Sequence, residues 1–135
     1  MRVLVDTGAL IAIQRKDDQY HRRAFELALR HRLSGVTYVG TTLVLGEFHS
    51  QLLYRRGPAE ARSAIASFLR DPRNEWVGVS ADLVEAATLN WLFRFRDQAF
   101  SLTDAVSFEV MRREKLTHAF AFDRHFEVAG FKLLR

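Results

Sequence analysis

The sequence predicts an α/β fold, in which a central parallel sheet of four to five strands carries helices on both faces. Short apolar runs alternate with longer helical segments over the whole chain, which is the pattern of strands buried between helices. Hydrophobic residues make up 48% of the 135 residues, which is enough for one buried core. No repeat or low-complexity stretch divides the chain, so residues 1–135 are expected to form a single domain.

The individual elements follow from apolar runs and from residues that stop helices. A β-rich run ends at Asp6, and the predicted strands are 2–5, 36–41, 76–79, 118–122 and a short fifth at 131–134. The predicted helices are 9–16, 18–31, 42–56, 59–69, 81–93 and 101–115. Gly35, Gly57-Pro58 and Asp71-Pro72 mark helix ends, and Ser80 is expected to cap the helix that follows it.

Helical spacing also predicts which side chains face the core. The inward side of the second helix is expected to carry Phe25, Ala28 and Leu29. The inward side of the fourth helix is expected to carry Ala61, Ile65, Phe68 and Leu69.

Charge and composition favour one kind of partner and exclude several classes of protein. The formal charge is +4 and arginine supplies 17 of the 20 basic residues, a balance that favours a polyanionic partner. Cysteine is absent, which excludes disulfides, thiolate zinc sites and cysteine nucleophiles. No apolar run reaches the length of a membrane span, and the apolar start, interrupted by Asp6, does not resemble a signal peptide. A cytoplasmic protein without membrane contact is the expectation.

Four acidic residues, Asp6, Glu47, Asp104 and Asp123, are the candidate functional groups. Asp6 follows the first predicted strand and Asp123 follows the fourth. If these strands are neighbours, both carboxylates lie at the carboxyl edge of the sheet, where ligands of such folds bind. Each acid also has a structural interpretation: Asp6 as a helix cap, Asp104 in a capping box with Ser101, Glu47 as a boundary residue and Asp123 in a turn.

The helical wheel favours an inward position for Asp104. Asp104 falls on the arc of Phe108 and Met111, opposite Glu109 and Arg113. Carboxylates that converge repel one another by about 4 kcal/mol per pair at 4 Å and an effective dielectric of 20. Such a cluster persists only with bound cations or protons, and an all-oxygen ligand set suits Mg²⁺ or Mn²⁺.

The motifs VDTGAL, SLTDAVSF and FAFDRHF, together with the helix residue Glu47, resemble the successive acidic motifs of the PIN-domain family. The similarity is greatest to its VapC-type toxin ribonucleases and spans the whole chain. It implies a PIN-like three-layer fold and an Mg²⁺ or Mn²⁺ site formed by Asp6, Glu47, Asp104 and Asp123. It further implies hydrolysis of RNA phosphodiester bonds, a cognate antitoxin that blocks the site, and a homodimer.

Several other residues are weaker candidates for supporting the site. Thr7 is expected to hydrogen-bond a carboxylate, and Thr103 and Ser107 are expected to orient the acids. Asp97 is expected either to contact a second metal or RNA, or to pair with Arg94 or Arg96. Phosphate contacts are considered for Arg94, Arg96 and Arg124, with a solvated surface role as the alternative. His125 is assigned no catalytic role, because the five histidines show no ligand spacing.

Two related enzyme classes fit the sequence less well. A haloacid-dehalogenase phosphatase needs a second aspartate two positions after Asp6, where this chain has Gly8. A response-regulator receiver domain needs an acidic pair after its first strand, and Asp17-Asp18 does not follow a strand. The non-enzymatic alternative is a PIN-like module that binds RNA or a protein partner with an idle metal site.

Overall fold

The computed structural model describes residues 1–134 and contains one five-stranded sheet with the order β3-β2-β1-β4-β5. The strands are β1 (Arg2–Val5), β2 (Thr37–Thr41), β3 (Asn74–Val77), β4 (His118–Phe120) and β5 (Lys132–Leu133). Every pairing is parallel, and Leu4 of β1 lies opposite both Val39 of β2 and Ala119 of β4. The predicted parallel sheet is therefore confirmed, and β1 and β4 are neighbours.

Helices connect the strands and begin at recognisable caps. They are α1 (Thr7–Gln14), α2 (His21–Leu33), α3 (Thr42–Arg56), α4 (Pro58–Arg70), α5 (Ala81–Ala87), α6 (Leu102–Glu114) and α7 (His125–Val128), and a π-helical segment (Thr88–Phe93) extends α5. The side chains of Thr41, Ser80 and Ser101 accept hydrogen bonds from the first turns of α3, α5 and α6. Gly57 adopts φ 91° between α3 and α4, which favours glycine. Within residues 1–134, the structure has no helix long and apolar enough to span a bilayer.

Each face of the sheet has its own apolar core. Leu4 of β1 packs with residues of α5 and α6 such as Leu83, Phe108 and Met111. Val5, the next residue along the strand, packs on the other face with residues of α1 and α3. Successive strand side chains point to opposite faces, so the molecule has three layers, helix–sheet–helix.

Two predicted helix faces are correct only in part, because Ala61 of α4 is in the core, and Ala28 of α2 and Phe68 of α4 are partly buried against it. On α2 the buried residues are Ala24, Leu27 and His31, whereas Phe25 and Leu29 are 49% and 48% exposed. The buried arc of α2 thus combines one large apolar residue, Leu27, with a small one and a polar one. On α4 Leu69 is exposed and Phe68 is partly buried against the core, whereas the fully buried residues are Ala61, as predicted, and Ala64. Small residues at these positions allow the helices to pack closely.

Glu109 of α6 is also placed differently from the prediction, because it is fully buried. Its carboxylate accepts hydrogen bonds from Asn90 Nδ2 and Trp91 Nε1 at 3.2 and 3.1 Å, and from Arg112 Nη2 and Arg113 Nε at 2.6 and 2.9 Å. Burial opposes ionisation, but these four donors outweigh it and lower the pKa of Glu109 to about 2. We call this group the Glu109 cluster.

Candidate active site

Asp6 lies at the carboxyl edge of β1, where the backbone turns into α1. Its backbone N–H donates to Phe120 O of β4 at 3.1 Å, and its carbonyl accepts from Leu10 N at 3.2 Å. Asp6 occupies the N-cap position of α1, but its side chain forms no capping hydrogen bond. The carboxylate, 8% exposed as a residue, is therefore available for another role.

Asp104 combines a structural contact with a position in the site. It forms a capping box with Ser101: Asp104 N donates to Ser101 Oγ, and Ser101 N donates to Asp104 Oδ2, both at 3.0 Å. Oδ2 also lies 3.1 Å from His125 Nδ1. The other oxygen, Oδ1, has no hydrogen bond among the described residues, so capping leaves one oxygen free.

Glu47 and Asp123 come from the segments that follow β2 and β4, the two strands on either side of β1. Glu47 lies on α3 beside the buried Phe48 and is half-buried. Asp123 is in the turn between β4 and α7, where its Oδ1 accepts from His125 N at 2.9 Å. β4 ends at Phe120, so the prediction that Asp123 directly follows this strand is wrong. The turn interpretation of Asp123 and its place near the other acids are both correct.

All four acids line one cavity of about 520 Å³ at this edge of the sheet. Burial raises the pKa of Asp6 to about 7, and the negative charges of Asp104, Glu47 and Asp123 add to the rise, while the backbone N–H of Thr7 opposes it. Each of the other three acids is thus close enough to affect Asp6 electrostatically. We call this cavity the acidic cavity.

His125 is a member of the site that the sequence analysis did not assign. Its Nδ1 lies 3.1 Å from Asp104 Oδ2 and 3.3 Å from Asp123 Oδ2. One ligand atom from each of these three residues falls within 4.8 Å of the others. Since ionised carboxylates only accept, a hydrogen bond here requires the proton on Nδ1. The available signal was the position of His125 two residues after a turn aspartate.

The weaker candidates divide into two groups. Thr7 and Ser107 are buried, and neither hydroxyl has a hydrogen-bond partner among the described residues. The expected hydrogen bond from the Thr7 hydroxyl to a carboxylate is therefore absent. Thr103 is half-buried and does not line the acidic cavity. Asp97 is exposed, lies outside the cavity lining, and within residues 1–134 forms no ion pair with Arg94 or Arg96.

The arginines considered for phosphate contact lie outside the acidic cavity. Arg96 Nε donates to Phe93 O at 3.2 Å, and Arg94 lines a separate cleft with Arg112. Arg124 lines a third cleft, beside the acidic cavity. Asp18 and Gln51 do line the acidic cavity, and no pattern in the sequence distinguishes them from other surface residues.

The residues of the acidic cavity fit a divalent cation. No lysine or arginine is found among its described lining residues, so its carboxylates lack the compensation that a buried acid requires. The donors are carboxylate oxygens, with the imidazole of His125 beside two of them, and Thr7 contributes a buried hydroxyl without a partner among the described residues. Oxygen-rich donor sets of this kind suit Mg²⁺ or Mn²⁺.

Comparison with known proteins identifies similar chains. The family model described as the PIN domain matches residues 3–132. The 23S rRNA-specific endonuclease VapC20 of Mycobacterium tuberculosis is 35% identical over 133 residues, which cover 98% of each chain. The crystal structure of that VapC20, described as a sarcin–ricin loop cleaving toxin, superimposes with a TM-score of 0.86 at 34% identity over 98% of both chains.

A more distant structure shows the same fold. VapBC2 from Rickettsia felis, solved bound to a DNA fragment from its promoter, has a TM-score of 0.71 at 14% identity, covering 99% of this chain and 98% of the other. At this identity the likeness concerns the fold alone. It confirms the three-layer arrangement over nearly the whole chain.

Proposed function

The chain belongs to the PIN domain family, and on that premise we propose that it is a metal-dependent endoribonuclease and the toxin of a toxin–antitoxin pair. The observation that carries the proposal is the acidic cavity, where the four predicted acids and Asp18 share one concave site whose described lining residues include no lysine or arginine. The end-to-end similarity to an endonuclease at 35% identity supports the reaction class.

Asp6, Glu47, Asp104 and Asp123 would hold Mg²⁺ or Mn²⁺ in this proposal. Such an ion, when bound, lowers the pKa of a water molecule and neutralises charge on the phosphodiester. The protein residues fix the donors: the capping box holds Asp104 at the start of α6, and the hydrogen bond to Phe120 O holds Asp6 between β1 and β4. His125 positions Asp104 and Asp123 through a single nitrogen. Thr7, which lines the cavity, would act in support, whereas Ser107, Thr103 and Asp97 lie outside the cavity lining.

The proposed substrate is RNA. The similar VapC20 protein is named for 23S rRNA and its crystal structure for the sarcin–ricin loop, so a stem-loop of that sequence is the first substrate to test. Because that relative is a toxin, we propose a cognate antitoxin as partner. The resemblance to VapC-type toxins also supports a homodimer acting in the cytoplasm, with residues 1–135 as one PIN-like domain.

The test is cleavage of a labelled sarcin–ricin stem-loop RNA by the purified protein with Mg²⁺ or Mn²⁺ and with a chelator. We expect metal-dependent cleavage that falls about a thousandfold in Asp104→Asn, because several kcal/mol of charge stabilisation are lost. Asparagine keeps an acceptor oxygen for the capping box, so the variant should remain folded. RNA that the protein binds but never cuts with either metal would favour the idle-site alternative, and full activity of Asp104→Asn would contradict the assignment of Asp104.

A further inference from the structure

A second cleft, of about 460 Å³, lies directly beside the acidic cavity. The two concavities share the side chains of Tyr20 and Phe122, which therefore form the wall between them. We call the second region the flanking cleft. A substrate strand that leaves the acidic cavity over this wall enters the flanking cleft.

The wall is an ordered aromatic stack. The rings of Tyr20 and Phe122 are parallel to within 2°, with centroids 4.5 Å apart. Phe122 also contacts the buried Phe120 of β4, at a centroid distance of 6.0 Å. The backbone of Tyr20 is fixed as well, because its N–H donates to Asp18 Oδ1 at 2.9 Å. Tyr20 is nevertheless 42% exposed. These contacts therefore hold a solvent-accessible ring in a fixed position at the edge of the site.

The flanking cleft is positively charged. Arg23 of α2 and Arg124, just before α7, line it and are exposed, and within residues 1–134 neither arginine forms an ion pair. The one acid among the described lining residues, Glu127, is engaged in an interaction of its own. Many other arginines of the chain are paired, as Arg56 is with Glu60 and Arg73 with Asp71. The flanking cleft thus keeps two guanidinium groups available next to an acidic site.

We propose that the flanking cleft binds the unpaired nucleotides next to the cleaved bond, with Arg23 and Arg124 on their phosphates and a base against Tyr20. This inference rests on the proposed ribonuclease function and assigns it a substrate subsite. The acidic cavity by itself repels a polyanion, so the strand must be held by cations beside it. Guanidinium groups suit phosphate oxygens, and aromatic rings accept any base by stacking. An unpaired strand is required, because bases inside a duplex are not available for stacking.

Binding without cleavage provides the first test. A fluorescently labelled single-stranded oligoribonucleotide is titrated with the protein in chelator, where no metal-dependent cleavage takes place. Arg23→Ala and Arg124→Ala should each weaken binding and lower the salt dependence of the affinity by about 0.7 in logarithmic slope, the value for one phosphate contact on a single strand. Arg62→Ala is the matched control, since Arg62 is exposed and lines a different cleft on α4.

The tyrosine is tested with a pair of variants and a pair of ligands. Tyr20→Leu should weaken binding of the base-bearing strand at least about fivefold, and Tyr20→Phe should keep wild-type affinity. An abasic strand of the same length should bind both variants equally, because it offers charge without stacking. A loss in Tyr20→Leu that is equally large for the abasic strand would overturn the stacking role.

The outcome also separates this inference from the proposed function. Unchanged affinity and unchanged salt slope in both arginine variants would overturn the flanking cleft, even if the wild-type protein cleaves RNA. In contrast, a wild-type protein that binds the strand through Arg23 and Arg124 but never cleaves RNA would leave the cleft in place and contradict the ribonuclease assignment. In cleavage assays the arginine variants should raise KM more than they lower kcat, whereas Asp104→Asn should lower kcat.

Discussion

The acidic cavity and the Glu109 cluster both bury carboxylates, yet they shift the pKa of a buried carboxylate in opposite directions. In the cavity, burial and three neighbouring acids raise the pKa of Asp6 to about 7. In the cluster, burial is outweighed by donors from two arginines, an asparagine and a tryptophan, and the pKa of Glu109 falls to about 2. The two sites share helix α6, which carries Asp104 at its start and Glu109 further along.

The difference separates a structural acid from the acids that are proposed to act in the site. The Glu109 cluster contains its own arginines, so the negative charge of Glu109 stabilises the fold. The acids of the cavity have no lysine or arginine among the described lining residues, so their charge must be balanced by a proton or by an ion from solution. Burial alone does not identify a candidate functional carboxylate, and the absence of an arginine or lysine partner is the distinguishing observation.

The largest effect is expected from removing the charge of Asp6. Its pKa is about 7 in the folded protein against an ordinary value of 3.8, so its contribution to stability is full below pH 4 and is lost as pH rises through 7. In chelator, Asp6→Asn should therefore be more stable than wild type at pH 7, by up to about 4 kcal/mol.

Urea unfolding of both proteins at a series of pH values between 4 and 8 measures this difference. The decline in stability over that range should be present in wild type and reduced in Asp6→Asn. Parallel pH profiles for the two proteins would show that burial and the neighbouring acids do not raise the pKa of Asp6.

The opposite sign is expected at Glu109. Because its pKa is lowered from 4.5 to about 2, its contribution is present above pH 4.5 and is lost as pH falls toward 2. Glu109→Gln should therefore destabilise the protein at pH 7 by about 1.5–3 kcal/mol, the range for hydrogen bonds to a charged group. The measurement is urea unfolding, with Glu114→Gln on the exposed side of α6 as the control.

Both outcomes at Glu109 are informative. The specific activity of folded Glu109→Gln should match that of wild type, since no cavity residue contacts it. A stability equal to that of the control variant would mean that the cluster is not structural, and the contrast with the acidic cavity would fail.

A smaller effect is expected at His125, which contacts acids of the cavity but is not itself an acid. His125→Ala should weaken Mn²⁺ binding by about tenfold, as is usual when a residue that orients metal ligands is removed. His125→Asn should recover part of the loss, because its amide can still donate to Asp104. The control is His118→Ala on β4, whose ring nitrogen contacts Thr117 instead. Equal Mn²⁺ affinity of His125→Ala and wild type would rule out a positioning role.

The sequence was sufficient to predict the sheet and the convergence of the four acids on one cavity, for identifiable reasons. Strands buried on both faces read as apolar runs, and capping residues such as Ser101 mark helix starts directly. Asp6 and Asp123 could be expected to meet because parallel strands share a carboxyl edge and because β1 and β4 were assumed to be neighbours, which the strand order confirms.

The wrong predictions concern polar residues that are buried and apolar residues that are exposed. The helical wheel placed Glu109 on the side opposite Asp104, and its donors Asn90 and Trp91 lie 19 and 18 residues away along the chain, where only the fold reveals them. The buried face of α2 was predicted only in part, because two of its buried positions carry a small and a polar residue, Ala24 and His31, while the apolar Phe25 and Leu29 are exposed. His125 was missed because its contact with Asp104 spans 21 residues. Long-range partners of this kind leave no local pattern.

Calorimetric titration of Mn²⁺ into metal-free protein tests the central claim most directly, with wild type, Asp104→Asn and Glu109→Gln compared at pH 7. The account predicts saturable binding by wild type, unchanged affinity in Glu109→Gln, and affinity at least about tenfold weaker in Asp104→Asn. If wild type and Asp104→Asn bind Mn²⁺ equally well, or if neither binds it, the acids at this edge of the sheet do not form a cation site and the contrast drawn between the two regions is contradicted.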